Sequence, residues 1–289
     1  MKSMKIIDFH THIGGVKSWY KNLKGTIIVS EKDLLSYMKD RGIEKAVVLP
    51  VPRFDATMGQ FIYSSERILR ICRFYEELIP FCCFAPQSSM NEDKLNRLIE
   101  DYVSKGVLGY GEHKVKLPID HPWSLEIYKI CGEMRLPVLI HVDNAHNYGF
   151  EKAFPEIAAK YSKTEFVMHG PGWWRHISAN PGSETYPKGS VKPNGLVDKI
   201  LSENENVYAD ISATSGFNAL NRDKEYAKFF LEKHRDKILF GTDFPIIDFR
   251  GGQYGVNDLH LSLLESLGLK DQTFERIVFK NAEKLLKIA

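Results

Sequence analysis

Lys5-Ile-Ile-Asp-Phe-His-Thr-His12 is a short aliphatic run that ends in two histidines spaced two apart. In a β-strand, residues i and i+2 point to the same side, so His10 and His12 share a face. Outward along the chain the same grammar recurs. Val138-Leu-Ile-His141 and Phe166-Val-Met-His169 are apolar runs closed by histidine, and Leu239-Phe-Gly-Thr-Asp243 is closed by aspartate. Runs that stay apolar without alternating suit parallel strands buried on both faces.

Eight segments read as strands, at residues 5–10, 46–50, 78–85, 107–114, 137–143, 165–170, 207–212 and 238–243. Helical patterns lie between them at 31–41, 60–77, 91–105, 122–135, 151–161, 196–204, 223–235 and 257–267, and a last one spans 272–288. Ser30 stands where an N-cap belongs, and Pro137 ends one helix and opens the next strand. Eight β-then-α units in strict alternation predict an α/β fold, a single (β/α)8 TIM barrel, in preference to two doubly wound halves. With no Pro/Gly/Ser linker dividing it, residues 1–289 read as one domain. The long break is 171–194, a Gly-, Pro-, Trp- and Ser-rich loop after strand six. Its place is the C-terminal face of the barrel, where such folds keep their active sites.

Composition narrows the function. Lys plus Arg number 39 and Asp plus Glu 37, a net charge of +2, which lacks the basic excess of a nucleic-acid binder. No apolar run approaches the roughly 18 residues of a membrane span, and the first residues lack a secretory pattern. Cys72, Cys82, Cys83 and Cys131 have no metal-knuckle spacing and read as reduced, buried thiols. The expectation is a soluble cytoplasmic protein with a small-molecule substrate, no nucleic-acid or membrane partner, and room for homo-oligomerisation.

His10, His12, His141, His169 and Asp243 all fall at strand C-terminal ends, the edge that converges on one site in a barrel. Imidazole nitrogens and a carboxylate together suit Zn²⁺ or a similar divalent ion. Strand four adds Glu112, either as a ligand that bridges a second ion, as a group that orients water, or as the ion-pair partner of Lys114 or Lys116. Lys114, carbamylated, is the alternative bridge. His113 points the other way.

This order of ligands resembles the amidohydrolase superfamily, and more narrowly its amidohydrolase-related branch of TIM-barrel metal-dependent hydrolases. Ile7-Asp-Phe-His-Thr-His12, Phe240-Gly-Thr-Asp-Phe-Pro245 and Asn281-Ala-Glu-Lys-Leu-Leu286 carry the resemblance. It implies that His10, His12, His141 and Asp243 hold the principal metal. His169 is then an acid, base or polariser in one-metal members, or a ligand of the second ion, with a strand-four Glu or Lys, in two-metal members. The implied cofactor is a divalent metal, zinc first, as one or two ions. Asp243 is the natural general base toward metal-activated water.

The expected reaction is hydrolysis of an amide, ester or lactone in a small carboxylated substrate. A metal-dependent, non-oxidative decarboxylase of an unsaturated carboxylate is the alternative; a TatD-like nuclease and a non-catalytic, metal-stabilised barrel stand behind it. Trp173 and Trp174 read as pocket walls or as a subunit interface, with Arg175 pairing a substrate carboxylate. Asp210 either contacts substrate, holds a ligand histidine or orders its loop. Asp8 either supports the metal ligands or caps backbone deeper in the barrel. Asp143 and His146 either line the mouth or, the better reading, belong to a solvated loop, and Arg53 and Arg250 are weaker anion-binding candidates.

Overall fold

A computed structural model of the protein describes residues 4–17, 26–52, 61–86, 90–245 and 256–288. Its barrel wall consists of β1 (Ile7–Thr11), β4 (Lys45–Val48), β6 (Leu78–Pro80), β7 (Tyr110–His113), β8 (Val138–His141), β9 (Phe166–His169), β10 (Val207–Asp210) and β11 (Ile238–Leu239). The intervening numbers belong to a small antiparallel sheet, β2 (Gly14–Lys17), β3 (Thr26–Val29) and β5 (Phe61–Ile62), with β2 in the middle.

The wall strands pair in parallel as β1-β4-β6 and as β11-β10-β9-β8-β7. Two seams join these halves. Across the first, Cys82 N donates to Gly109 O (3.0 Å) and Gly111 N to Cys82 O (2.9 Å). Across the second, Phe9 N donates to Phe240 O (2.9 Å), Asp243 N to His10 O (2.9 Å) and His12 N to Phe244 O (2.7 Å). The hydrogen-bonded ring is thereby continuous, and the second seam lays Asp243 beside His10. Every residue of β1, β7, β8, β9 and β10 is buried, and β8 and β9 accordingly run apolar without alternation up to their closing histidines.

Helices α1 (Glu31–Asp40), α2 (Ser65–Cys72), α3 (Glu92–Ser104), α4 (Pro122–Met134), α5 (Phe150–Lys160), α6 (Pro171–Arg175), α7 (Leu196–Glu203), α8 (Ala213–Asn221), α9 (Lys224–Lys233), α10 (Val256–Ser266), α11 (Asp271–Glu275) and α12 (Asn281–Leu286) surround the wall. Ser30 caps α1 in a reciprocal box with Asp33. Near the C-terminus a π-helical turn, Arg276–Lys280, offers Ile277 O to Phe240 N at 3.0 Å. Asn281 Nδ2 donates to Arg235 O (2.7 Å) and Ile238 O (2.8 Å). These bonds steady the two-residue β11 and hence the segment leading to Asp243.

Besides strands β2 and β3, which the sequence expectation lacks, three stretches differ from it. The helix expected at 60–77 is α2 alone among the described residues, because Phe61 pairs with Gly15, and Ile62 with Gly14, as β5. Strand seven is followed at once by α8. The break at 171–194 opens with a helical turn, α6, started by Pro171 at its first position.

Gly170 joins β9 to α6 at φ +101°, and a Cβ there would lie 2.5 Å from Val142 O and 2.9 Å from Val142 N. Gly170→Ala is expected to cost roughly 2–4 kcal/mol, combining backbone strain with a steric clash. At about 2–4 °C per kcal/mol, the melting temperature should fall by roughly 4–16 °C. A thermal melt at the wild-type value would contradict this.

Candidate metal centre

His10 and His12 leave the end of β1 on the same face, and each has its Nδ1 held from behind. His10 Nδ1 lies 2.6 Å from Asp210 Oδ2 and His12 Nδ1 2.9 Å from Leu49 O. A carbonyl only accepts, so His12 Nδ1 carries the hydrogen; opposite an ionised carboxylate the same holds for His10. Asp210 is that carboxylate: burial opposes its charge, but the His10 charge and hydrogen bonds outweigh burial and hold it well below the usual range. Each neutral ring then turns a bare Nε2 lone pair forward, and the two Nε2 atoms are 3.1 Å apart.

Two carboxylates point into the same space. Glu112 Oε2 is 3.5 Å from His12 Nε2, and Asp243 Oδ1 is 3.6 Å from His10 Nε2 and 3.4 Å from His12 Nε2. His10, His12 and Glu112 offer atoms within 4.8 Å of one another that could hold a cation, and Asp243 stands beside the two histidines. Tetrahedral coordination at about 2.0–2.1 Å gives ligand-to-ligand edges of about 3.3 Å, which these separations bracket. Burial lowers the His10 pKa, and the Asp210 contacts together with the Asp243 charge raise it, with a net rise. Asp243 is the one of the four with sizeable solvent access, its side chain being 30% exposed.

Glu112 comes from β7. Its backbone N donates to Pro50 O at 2.8 Å, and the Cys83 thiol donates to its carbonyl at 3.1 Å. Oε1 meets His141 Nδ1 at 2.7 Å. Burial pushes this carboxyl up, while the Lys114 charge and the His141 contact outweigh it and keep Glu112 well below the ordinary glutamate value. Register pairs His141 of β8 with His169 of β9. His169 Nδ1 faces Ser212 Oγ at 3.0 Å and Asp210 Oδ2 at 3.3 Å, and its ring lies 4.4 Å from that of His10 and 5.2 Å from that of His141. Glu112, His141 and His169 offer ligand atoms within 4.8 Å of one another.

The other anticipated residues fall as follows. Asp210 is fully buried; it holds His10, stands beside His169, and also orders its own turn, Oδ1 accepting from Ser212 N (2.8 Å) and Oδ2 from Ser212 Oγ (2.8 Å). Asp8 Oδ1 accepts from His10 N (3.1 Å) and Thr242 N (3.0 Å), and Oδ2 from Thr242 Oγ1 (2.5 Å), so it fastens β1 across the closing seam. Burial pushes its carboxyl up to about 7. Trp173 and Trp174 correct the sequence reading. Both are buried on α6, Trp173 against Phe150 and Phe154, Trp174 against Phe230 with its indole N–H on Asp210 O (2.8 Å). They leave no surface to wall a pocket or form an interface, because Pro171 starts a helix that turns them inward. Arg175 is also corrected: it pairs with Glu151 at 3.2 Å and reaches Asn144 at 3.5 Å, so its charge is met within the protein. His113 bonds Ser124 Oγ (2.9 Å) on the outer side of β7. Arg53 and Arg250 lie outside the described residues.

Two contributors carried no sequence signal. Asn147, fully buried, donates to His113 O (2.7 Å) and His141 O (2.8 Å), clamping the ends of β7 and β8 together. Tyr186, from the long loop, sits where Asp243, Lys114 and Asp143 act on its hydroxyl; burial, Asp243 and Asp143 raise its pKa while Lys114 opposes them. Asn218 of α8 holds that loop through Pro187 O at 3.0 Å.

The chain belongs to the amidohydrolase family, whose pattern it matches over residues 7–288, and it is an enzyme of that family. No curated protein matches it. Among solved structures it is similar to one described as a probable 2-pyrone-4,6-dicarboxylic acid hydrolase from Acinetobacter baumannii with citric acid bound, at 12% identity, covering 98% of this chain and 99% of that one, TM-score 0.65. It is also similar to a 2,6-dihydroxybenzoate decarboxylase from Rhizobium (13%, 100% and 99%, TM-score 0.56). A dihydroxybenzoic acid decarboxylase from Polaromonas sp. JS666, with bound manganese and 2-nitroresorcinol, matches at 15%, 100% and 98%, TM-score 0.57. At such identities the likeness speaks for the fold, the barrel expected from the alternating units. Among the described residues, no helix is long and apolar enough to cross a membrane.

Proposed function

We propose that this enzyme is a metal-dependent hydrolase that directs water at an ester, lactone or amide bond of a small carboxylated substrate. The observation that carries the reading is the gathering of ligand atoms around His12 Nε2, with His10 Nε2 at 3.1 Å, Asp243 Oδ1 at 3.4 Å and Glu112 Oε2 at 3.5 Å. Those four residues hold the divalent ion, zinc or manganese by the nature of the donors. Such an ion acidifies water toward neutral pH and polarises a carbonyl oxygen.

The residues around it have separable tasks. Asp243, with solvent access, takes the proton of the attacking water and returns it to the leaving group. His169, its Nδ1 anchored by Ser212 and Asp210, presents its other edge to the reacting group. His141, assigned to the metal by family resemblance, here orients Glu112 through Nδ1. Lys114 and Tyr186 at the mouth supply a cation and a hydroxyl for a substrate carboxylate.

A second reading, non-oxidative decarboxylation, is favoured by the fold-level likeness to the two decarboxylases above. Product analysis separates the two. Metal-loaded protein given a pyrone dicarboxylate should yield the ring-opened acid without gas, and Glu112→Gln should slow this by roughly 100-fold or more. Release of CO₂ from a dihydroxybenzoate, with no ring opening of the pyrone, would move the assignment to a lyase. Failure of wild-type protein to bind any divalent metal would overturn both.

A further inference from the structure

One imidazole outward from the centre, on the turn that follows β8, stands a second group of ligand-type atoms. His141, Asp143 and His146 bring nitrogen and oxygen atoms within 4.8 Å of one another. Asp143 is set in place by its own turn, Oδ1 accepting the backbone N–H of Ala145 (2.7 Å) and His146 (2.8 Å). Oδ2 faces His141 Nε2 at 3.0 Å, and His146 Nδ1 stands 3.0 Å from both Oδ1 and Oδ2.

His141 has a carboxylate at each ring nitrogen, Glu112 Oε1 at 2.7 Å and Asp143 Oδ2 at 3.0 Å. A neutral imidazole has one N–H and can serve one of them as donor. A histidine that binds a metal characteristically gives its other ring N–H to a carboxylate. Glu112 supplies that carboxylate here, so Nε2 is the nitrogen left to bind. Two imidazoles and one carboxylate, with the Asp143 side chain 24% exposed and water able to reach it, make a three-ligand set with open positions.

We propose that His141, Asp143 and His146 form a second divalent-cation site at the mouth of the barrel, coupled to the inner centre through the His141–Glu112 contact. Only that coupling rests on the inner centre proposed above; the ligand set of the outer site does not. Occupancy of the outer site fixes the His141 ring and, through it, the Glu112 carboxylate.

Co²⁺ alone, titrated into metal-free full-length protein and followed by calorimetry and visible absorption, tests the proposal. Wild type should bind two ions per chain with two distinguishable spectra. Asp143→Asn, whose amide oxygen can keep the turn, and His146→Gln should each bind one ion and retain the inner spectrum. His12→Ala should retain the outer spectrum and lose the inner one. Circular dichroism melts check that each variant is folded. A single ion in wild type overturns the site, and so does a second ion that persists in both Asp143→Asn and His146→Gln. A second ion lost only in Glu112→Gln would place it among Glu112, His141 and His169, which also overturns the proposal. If His12→Ala loses nothing while the Asp143 variant loses an ion, the inner reading fails and the outer site stands.

Discussion

Asp243→Asn is expected to lower kcat by about a thousandfold, within the 10²–10⁴ range for removal of a general acid–base group, while the melting temperature stays at the wild-type value. Asp243 sits at φ +60°, a left-handed conformation that asparagine tolerates nearly as well as aspartate, so the backbone is not strained by the exchange. Its backbone N–H still donates to His10 O across the closing seam. The side chain keeps its shape and an oxygen, but it loses the charge that balances the cation and the capacity to accept a proton. Burial opposes the Asp243 carboxylate's charge, and His12 and His10 outweigh burial, so the group is ionised and available as a base. Measured kcat, metal content and thermal melt together check the prediction. Wild-type turnover in a metal-replete Asp243→Asn would remove Asp243 from the proton-transfer role, and a lowered melting temperature would mean the loss was structural.

The ligand-bearing strands are legible because two demands meet in them. A strand buried on both faces must be apolar throughout, as Val138-Leu-Ile and Phe166-Val-Met are, and only its C-terminal end can present a polar group to the site. His141, His169 and the pair His10 and His12 stand out for that reason. What the sequence conceals depends on partners far along the chain. The β2–β3 pairing is written in four-residue segments, one of them Gly14-Gly15-Val-Lys17, with no run long enough to announce a strand. Trp173-Trp174 has the composition of a surface loop, yet the rings are buried by Phe150, Phe154 and Phe230, which other helices supply. Glu112 and His141 are 29 residues apart, and only the placing of β7 beside β8 brings them to 2.7 Å. The same carboxylate turns its other oxygen, Oε2, to within 3.5 Å of His12 Nε2, so Glu112 links the two histidines.

Asp210→Asn is the other substitution expected to act strongly, and it does so without touching the substrate. Asp210 accepts from His10 Nδ1, and that hydrogen bond keeps the His10 proton on Nδ1 and the lone pair on Nε2. An asparagine side chain can present its NH₂ group at the same place. The imidazole would then accept at Nδ1 and carry its hydrogen on Nε2, pointing at His12 Nε2 only 3.1 Å away. The corresponding carboxylate-to-amide exchange behind a catalytic histidine in a serine protease costs about 10⁴ in kcat by this tautomer error. Loss of a carboxylate behind a metal-binding histidine weakens metal affinity by about 10–100-fold. For this enzyme the expectation is a metal dissociation constant raised by about 100-fold and a residual rate that excess metal restores only in part. His169 shares the same carboxylate at 3.3 Å, so its orientation loosens too, and added metal does not repair that. Asp210→Ala is the discriminating control. It removes the charge without offering a donor, leaves His10 free to take either tautomer, and should bind metal more tightly than Asp210→Asn. Nitrogen-15 shifts of the His10 ring report the tautomer directly. If Asp210→Asn keeps the proton on Nδ1 and binds metal as wild type does, the carboxylate behind His10 is a packing element and the electronic role assigned to it is wrong.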